Sequence, residues 1–158
     1  MARAHYVQKA RKDNPVAKKG ESYYWWKFRF GGKLYSKTRP KRSQLTQSAH
    51  LGQIYDIEDS IADFEPETLE DIQSQIEDWA SELENLAYEA EESRSNMPEH
   101  LQDGPTGEML QERADATREM AENLQVICLE RNEGSYPTEA EQVSEVMEDL
   151  REICYEGE

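Results

Sequence analysis

Long apolar runs are absent from this chain of 158 residues. No stretch approaches the roughly 20 consecutive apolar residues that a membrane-spanning helix requires. The first residues, Met1 to Tyr6, also lack the apolar segment of a secretory signal peptide. We therefore expect a soluble protein that resides in the cytoplasm.

Cysteine and histidine are scarce, with two and three residues respectively. Cys128 and Cys154 lie far apart, and no histidine stands near either of them at the spacing of a metal site. Both cysteines fall in the apolar stripes of predicted helices, where a reduced thiol behaves as a small buried hydrophobe. We predict neither a metal site nor a disulfide.

Catalytic motifs are missing as well. The sequence has no Walker loop, no Gly-x-Ser-x-Gly elbow and no His-Glu-x-x-His helix. Acidic pairs such as Glu58 with Asp59 are frequent, but a composition this rich in acids produces them without any catalytic role. No catalytic residue, cofactor or small-molecule substrate is predicted, and a non-enzymatic protein is favoured.

Basic residues are nearly absent from the larger part of the chain. After His50 there are five arginines against thirty-two acids, a net charge of −27, whereas the residues up to His50 contain thirteen lysines and arginines against two acids, a net charge of +11. The two values add to the formal net charge of −16. Such segregation of charge indicates two parts with different roles. With 36% hydrophobic residues, the core must be thin.

The basic part predicts a small β-sheet. The segment Ser22 to Phe30 is rich in aromatic residues, Gly31-Gly32 is a strong hairpin signal, and Lys33 to Thr38 forms the returning strand. An earlier segment, Ala4 to Ala10, is short and ambiguous. The loop between it and the aromatic strand is indicated by the polar stretch Arg11 to Gly20.

The faces of this hairpin depend on its register. A two-residue loop at Gly31-Gly32 would place Lys33 opposite Phe30 and mix cations with the apolar face. A three-residue loop with a glycine bulge shifts the parity, so that Leu34, Ser36 and Thr38 join the face of Tyr24, Trp26, Phe28 and Phe30. We predict the bulged register, because it alone separates the core from the cations.

The acidic part predicts helices. A first helix is expected from Ser43 to before Pro66. A second is expected from about Pro66 to near Ser95, and it is the strongest prediction because its apolar residues recur at alternating steps of three and four. After a connection at residues 96 to 107, a third helix is expected to end at Gly134 and to pair antiparallel with the second, and a fourth begins near Thr138. The small residues of the third helix would let Trp79 or Tyr88 pack closely against it.

The predicted fold class is therefore α+β, with a basic aromatic hairpin module at residues 1–43 and an acidic antiparallel bundle of three to four helices at residues 44–158. Cations attract phosphates and exposed aromatic rings stack on bases, so the outward face of the hairpin is a candidate nucleic-acid surface. Its residues are Tyr23, Trp25, Lys27, Arg29, Lys33, Tyr35, Lys37 and Arg39. Three other interpretations stay open: the cations serve solubility and block edge pairing, the aromatic hairpin is core that docks on the helices, or the acidic half neutralises the basic sheet.

The run Tyr-Trp-Trp-Lys-Phe-Arg-Phe-Gly-Gly-Lys-Leu-Tyr-Ser-Lys-Thr resembles the strand-turn-strand of the arm-type DNA-binding domains of phage integrases. That resemblance covers about a quarter of the chain and implies a three-stranded sheet that enters the DNA major groove. No catalytic integrase domain follows, so it implies a binding module alone. The whole chain also resembles small uncharacterised proteins of tailed bacteriophages, which implies the host cytoplasm but no activity.

Three functions are compatible with these features. The leading hypothesis is a binding protein whose hairpin contacts nucleic acid and whose acidic helices contact a protein partner or a second copy. The alternative is a phage-encoded inhibitor of a host defence enzyme, which acts by DNA mimicry or by direct protein binding. Its phosphate surrogates would be Glu67, Glu70, Asp71, Glu77, Asp78, Glu82, Glu84, Glu89, Glu91 and Glu92. The third is an assembly protein that oligomerises through its heptad stripes, as in a coiled coil.

Overall fold

The computed structural model describes residues 1–130 and 139–155, and it confirms the predicted α+β class. A small antiparallel sheet at the N-terminus is followed by helices. The chain forms two compact units, Met1–Asp56 and Ile57–Glu158, and the division falls within a helix. The domain boundary predicted at residue 43 stays a prediction.

The sheet of the first unit has three strands, β1 (His5–Val7), β2 (Tyr23–Lys27) and β3 (Lys33–Ser36). Their order is β1-β2-β3, and both neighbouring pairs are antiparallel. The ambiguous N-terminal segment thus supplies the third strand. The aromatic strand β2 lies at the centre, where it pairs on both edges.

The long connection from β1 to β2 is held by hydrogen bonds. The backbone N–H groups of Val16 and Ala17 both donate to Oδ1 of Asn14, at 3.0 and 2.8 Å, which is the pattern of an Asx-type turn. The backbone N–H of Ala10 donates to the carbonyl oxygen of Glu21 at 2.8 Å. Since Ala10 and Ala17 are buried, the connection packs instead of trailing into solvent.

The first helix begins later than predicted. Ser43 starts a short 3-10 helix, Ser43–Leu45, and Thr46 is extended, so the chain breaks before α1 (Ala49–Asp63). Ser48 caps α1, because its Oγ accepts a hydrogen bond from the N–H of Leu51 at 3.3 Å. The apolar residues Ile54, Ile57 and Ile61 of the predicted stripe are buried.

Helix α2 (Leu69–Ser95) begins three residues after Pro66, because Thr68 forms its N-cap. The Oγ1 of Thr68 accepts from the N–H of Asp71 at 3.1 Å, and the N–H of Thr68 donates to Oδ2 of Asp71 at 3.0 Å. These two bonds form a capping box. The hydrogen bond from the Thr68 hydroxyl, then the one from its backbone N–H, lowers the pKa of Asp71.

Thr68→Ala is expected to lower the free energy of unfolding by about 1 kcal/mol, since an N-cap hydroxyl is lost. Urea unfolding followed by circular dichroism measures this change. Ser74→Ala, at an exposed position within the same helix, is the control and should raise stability by about 0.5 kcal/mol, because alanine has the higher helix propensity. The folded protein lowers the pKa of Asp71. The ionised carboxylate therefore contributes fully to the free energy of unfolding above its ordinary pKa, and this contribution is lost as the pH falls through the lowered pKa. A gap between wild type and variant that stays constant into acid would contradict the capping box.

Helices α2 and α4 (Pro105–Glu130) pair antiparallel, as predicted. The cross-helix bonds run in opposite order: Nη1 of Arg94 donates to Gln111, Nη2 of Arg118 to Glu91, and Nε2 of Gln125 to Glu84. A one-turn helix, α3 (Glu99–Gln102), lies in the predicted connection. Gly107 is buried near the start of α4, where a Cβ atom would collide with the backbone of Gln102.

The second unit has the thin core that the composition indicates. The α2 residues at the predicted apolar positions are buried except for Leu69, and Ala114, Thr117, Ala121 and Leu124 are buried on α4. Thr117 satisfies its hydroxyl within the helix, by donating to the carbonyl of Arg113 at 2.6 Å. Trp79 is buried with an edge-to-face contact to Phe64, at a centroid distance of 5.3 Å. Tyr88, the other residue that was predicted to pack closely against the third helix, is 64% exposed and does not do so.

Helix α5 (Glu139–Glu152) buries Val146, Met147 and Leu150. The prediction of a buried Cys154 is wrong: this free cysteine is exposed, because α5 ends at Glu152 before the apolar stripe reaches it. Cys128 lies in α4, but its side chain is outside the part of the structure that is described. The same applies to Gly134, the predicted end of the third helix, and to Thr138, the predicted start of the fourth.

Candidate nucleic-acid interface

The register of the hairpin sorts its side chains into two faces. Trp26 pairs with Leu34 and Tyr24 with Ser36, whereas Lys27 pairs with Lys33 and Trp25 with Tyr35. Paired residues point to the same side of a sheet, so the predicted separation of apolar and basic faces is confirmed along both strands. We call the surface formed by His5, Val7, Tyr23, Trp25, Lys27, Lys33 and Tyr35 the basic face.

The loop of the hairpin differs from the prediction. The paired strands end at Lys27 and Lys33, so five residues, Phe28 to Gly32, connect them, and Phe30 stands at the centre. Phe28 and Phe30 were expected to extend the apolar face, and this is wrong because the ladder stops before them. Phe28 is half-buried, and Phe30 is 79% exposed.

Trp25 lies at the middle of the basic face and is already contacted from both neighbouring strands. The imidazole of His5 in β1 stacks on its indole, with a centroid distance of 4.5 Å and an interplanar angle of 16°. The ammonium nitrogen of Lys33 in β3 lies 4.3 Å from the indole centroid. These contacts lock the ring within the sheet, and a base that stacks on Trp25 must first displace one of them.

The two tyrosines of the basic face also contact each other. The rings of Tyr23 and Tyr35 are tilted at 42° with a centroid distance of 6.0 Å, and both residues are half-buried. Sequence reasoning missed His5, whose only signal was the ambiguous first segment. The aromatic residues therefore build the sheet, while the exposed chemistry of the basic face is cationic.

Lys27 and Lys33 stand directly opposite each other, and both are exposed. Neither has an ion-pair partner within the described part of the chain. Like charges in this position destabilise a sheet by roughly 0.2–1 kcal/mol. A facing pair of exposed lysines that costs stability is suited to an anion, and the ammonium of Lys33 also contacts the Trp25 indole.

The other three predicted cations lie outside the paired strands. Arg29 is exposed in the loop, and Lys37 and Arg39 follow β3 as exposed residues. The ammonium of Lys37 is 3.4 Å from Oε2 of Glu21, so this ion pair partly neutralises the positive charge of Lys37. Of the eight predicted residues, five thus share the basic face: Tyr23, Trp25, Lys27, Lys33 and Tyr35.

Within residues 1–130 and 139–155, Glu21 is the one acid that forms an ion pair with these cations. Its carboxylate accepts the backbone N–H of Lys18 at 3.0 Å, and this bond, followed by the charge of Lys37, lowers the pKa of Glu21. Glu21 therefore stays ionised at neutral pH and weakens the contribution of Lys37. The effective cationic patch is centred on Lys27 and Lys33.

The opposite face of the sheet is only partly covered. Trp26 is buried, with 5% of its surface exposed, while Leu34 retains 44% and Tyr6 retains 58%. Tyr6 contacts Tyr24 at a centroid distance of 5.0 Å. Leu34 joins the apolar face as predicted, but it does not become core.

The acidic positions of the alternative function lie on and just before α2. Nine of the ten predicted phosphate surrogates are exposed, and Glu91 is the exception. Glu91 accepts a hydrogen bond from Nη2 of Arg118 at 2.7 Å, and this bond raises the pKa of Arg118. Asp71 is held in the capping box, and Glu84 accepts from Gln125 at 3.3 Å. Glu77 accepts from Nε2 of Gln73 at 3.4 Å, so four of the ten carboxylates are engaged in hydrogen bonds within the protein.

Among the described residues there is no group of three or more side chains that could hold a metal ion. Likewise, no described helix has the length and apolar character to cross a membrane. Comparison with protein-family models, curated proteins and solved structures finds no match to this chain. The interpretation of the basic face therefore depends on its own geometry.

Proposed function

We propose that this chain is a non-enzymatic protein of the cytoplasm that binds nucleic acid through the basic face of its sheet. The observation that supports the proposal is the exposed pair of Lys27 and Lys33, which face each other across the hairpin without an ion-pair partner in the described residues. Two facing, exposed lysines supply the positive charge that attracts the phosphates of a nucleic-acid backbone. Arg29 and Arg39, both exposed near the ends of the hairpin strands, extend the cationic surface.

The contacts of Trp25 favour phosphate and groove contacts over base stacking. A single strand is usually gripped by free aromatic faces on which bases stack. Here the indole contacts both His5 and Lys33, so this mode would cost an existing contact. A two-stranded β-ribbon fits the major groove of a DNA duplex, which is the mode that the resemblance to arm-type domains implies. Duplex DNA is therefore the proposed ligand.

The acidic helices have a separate place in this proposal. Their exposed carboxylates repel nucleic acid, which restricts binding to the sheet and makes it strongly dependent on salt. Tyr88 and Val126 are exposed apolar residues on α2 and α4, and they offer a contact to a protein partner or to a second copy. The exposed acids of α2 equally suit the alternative of a DNA mimic that occupies the site of a host enzyme.

The test is the binding of the intact protein to labelled duplex DNA, single-stranded DNA and RNA, followed by fluorescence anisotropy between 50 and 200 mM salt. If about four cations contact phosphates, the logarithm of the association constant should fall with the logarithm of salt concentration at a slope of roughly −3 to −4. Duplex should bind more tightly than the single strand. The absence of any binding at low salt would overturn the proposal and leave the acidic helices as the surface to test against DNA-binding enzymes.

A further inference from the structure

Phe30 is the most exposed of the large apolar side chains in the described residues, at 79% of its surface. It stands at the centre of the five-residue loop that joins β2 to β3. An aromatic ring in this position gains nothing from the core of its own unit. Single exposed apolar side chains are common on protein surfaces, so the feature that marks Phe30 is its place at a loop tip among cations.

The glycines beside Phe30 leave the tip narrow. Gly31 has a φ of +156°, in a region that is essentially restricted to glycine. A Cβ atom built on Gly31 or on Gly32 would meet nothing within 4 Å. The space on the C-terminal side of Phe30 is thus open, and the ring projects from a loop with no side chain on that side.

Cations surround the base of this tip. Lys27 and Lys33 face each other where the loop begins and ends, and the guanidinium carbon of Arg29 lies 5.3 Å from the centroid of the Phe30 ring. Entry of the ring into the core of a partner protein would bury these charges without partners. On a duplex, by contrast, the same charges would meet phosphates on either side of the step that the ring enters.

We propose that Phe30 is a wedge that inserts between two base pairs of a DNA duplex and kinks it, while Lys27, Lys33 and Arg29 hold the flanking phosphates. This inference rests on the proposed function and specifies how the duplex is engaged. Proteins that bend DNA in this way insert apolar side chains from the minor groove and partly unstack a base step. The wedge therefore places the loop at the minor groove, which β-sheet proteins also use, and not at the major groove that the resemblance implies. Pyrimidine-purine steps such as TA unstack most readily, so they are the expected sites.

The experiment measures bending and binding separately on the intact protein. A duplex with a donor and an acceptor dye at its ends reports bending by energy transfer, and 2-aminopurine at a central TA step reports unstacking by its fluorescence. Wild type is expected to increase both signals. A duplex with a single mismatch at that step should bind about tenfold more tightly than the intact duplex, because part of the unstacking cost is already met.

Phe30→Ala is expected to retain salt-dependent binding, to lose bending and 2-aminopurine fluorescence, and to lose the preference for the mismatch. Phe30→Leu, which keeps an apolar side chain of similar reach, should retain both. Leu101→Ala removes another exposed apolar side chain, from the other unit, and should change nothing. Circular dichroism checks that the variants fold, and the exposure of Phe30 and Leu101 makes folding the expected result.

The outcomes separate this inference from the function on which it rests. If the wild type binds duplex but neither bends it nor differs from Phe30→Ala, the wedge is wrong and the nucleic-acid function stands. If the wild type does not bind duplex at all, both fail together. Binding to anionic lipid vesicles that depends on Phe30, without bending of DNA, would overturn the wedge in favour of a membrane surface.

Discussion

Replacing Lys27 and Lys33 together with glutamine is expected to weaken duplex binding by about 100-fold near 0.1 M salt. Each phosphate contact that is lost removes about 0.9 from the slope of log K against log salt, so the two together should flatten the slope by about 1.8. The structure singles out these two residues because they are exposed, face each other across the hairpin and have no ion-pair partner in the described residues. Anisotropy titrations at several salt concentrations measure both quantities.

The matched control is the double change Lys18→Gln and Lys19→Gln, which removes the same charge from exposed residues outside the strands. A second control is Lys37→Gln, since the ammonium of Lys37 already lies 3.4 Å from a carboxylate oxygen of Glu21. Both controls should weaken binding by much less than 100-fold. If all these variants lost affinity in proportion to charge alone, binding would depend on net charge and not on the basic face.

The stability of the variant with glutamine at positions 27 and 33 is an independent measurement. Loss of the repulsion between Lys27 and Lys33 stabilises the sheet, while loss of the contact between Lys33 and Trp25 destabilises it by about 0.5–1 kcal/mol. The two effects are of similar size and opposite sign, so the free energy of unfolding should change by less than about 1 kcal/mol. A binding defect that came from unfolding would instead appear as a large loss of stability.

The sequence predicted the helices well because their signal is periodic and redundant. In α2 the stripe from Ile72 to Ala90 repeats over several turns, and any one substitution would leave its period readable. The ends of the helices depend on single capping residues. Thr68 and Ser48 each shift a predicted start by a few residues, because a side-chain oxygen that accepts a backbone N–H decides the boundary locally.

The site was predicted less completely, for a physical reason that differs between its parts. Which residues of β2 and β3 share a face follows from the cost of mixing cations with apolar residues on one face. The facing pairs of the two strands were therefore predictable. The contact of His5 with Trp25 joins residues far apart in sequence, and only the pairing of β1 with β2 creates it. The loop likewise depends on where the ladder stops, so its centre at Phe30 could not be derived from the Gly31-Gly32 signal.

Trp79→Ala is expected to lower the free energy of unfolding of the helical unit by about 3–5 kcal/mol, the usual cost of a large aromatic residue lost from a core. Trp79 retains only 4% of its surface and packs edge-to-face on Phe64. Typical domains have 5–15 kcal/mol of stability in total, so this one change should move the transition to much lower urea. Circular dichroism at helical wavelengths is the measurement.

Tyr88→Ala is the matched control for Trp79→Ala, because it removes an aromatic side chain nine residues further along α2 from a position that is 64% exposed. Its effect should stay within about 0.5 kcal/mol. A cost for Trp79→Ala below about 1 kcal/mol, or equal costs for the two variants, would show that α2 does not bury the face described above.

The Trp79→Ala variant also allows the unfolding of each unit to be followed separately by spectroscopy. The chain has three tryptophans, and without Trp79 the remaining two, Trp25 and Trp26, both lie on β2 of the first unit. Tryptophan fluorescence of Trp79→Ala therefore follows the sheet alone, while circular dichroism follows the helices. If the sheet folds independently, its transition should stay in place as the helical one moves to lower urea. If both transitions move together, the basic face depends on the helical unit for its stability, and any variant in that core would weaken nucleic-acid binding indirectly.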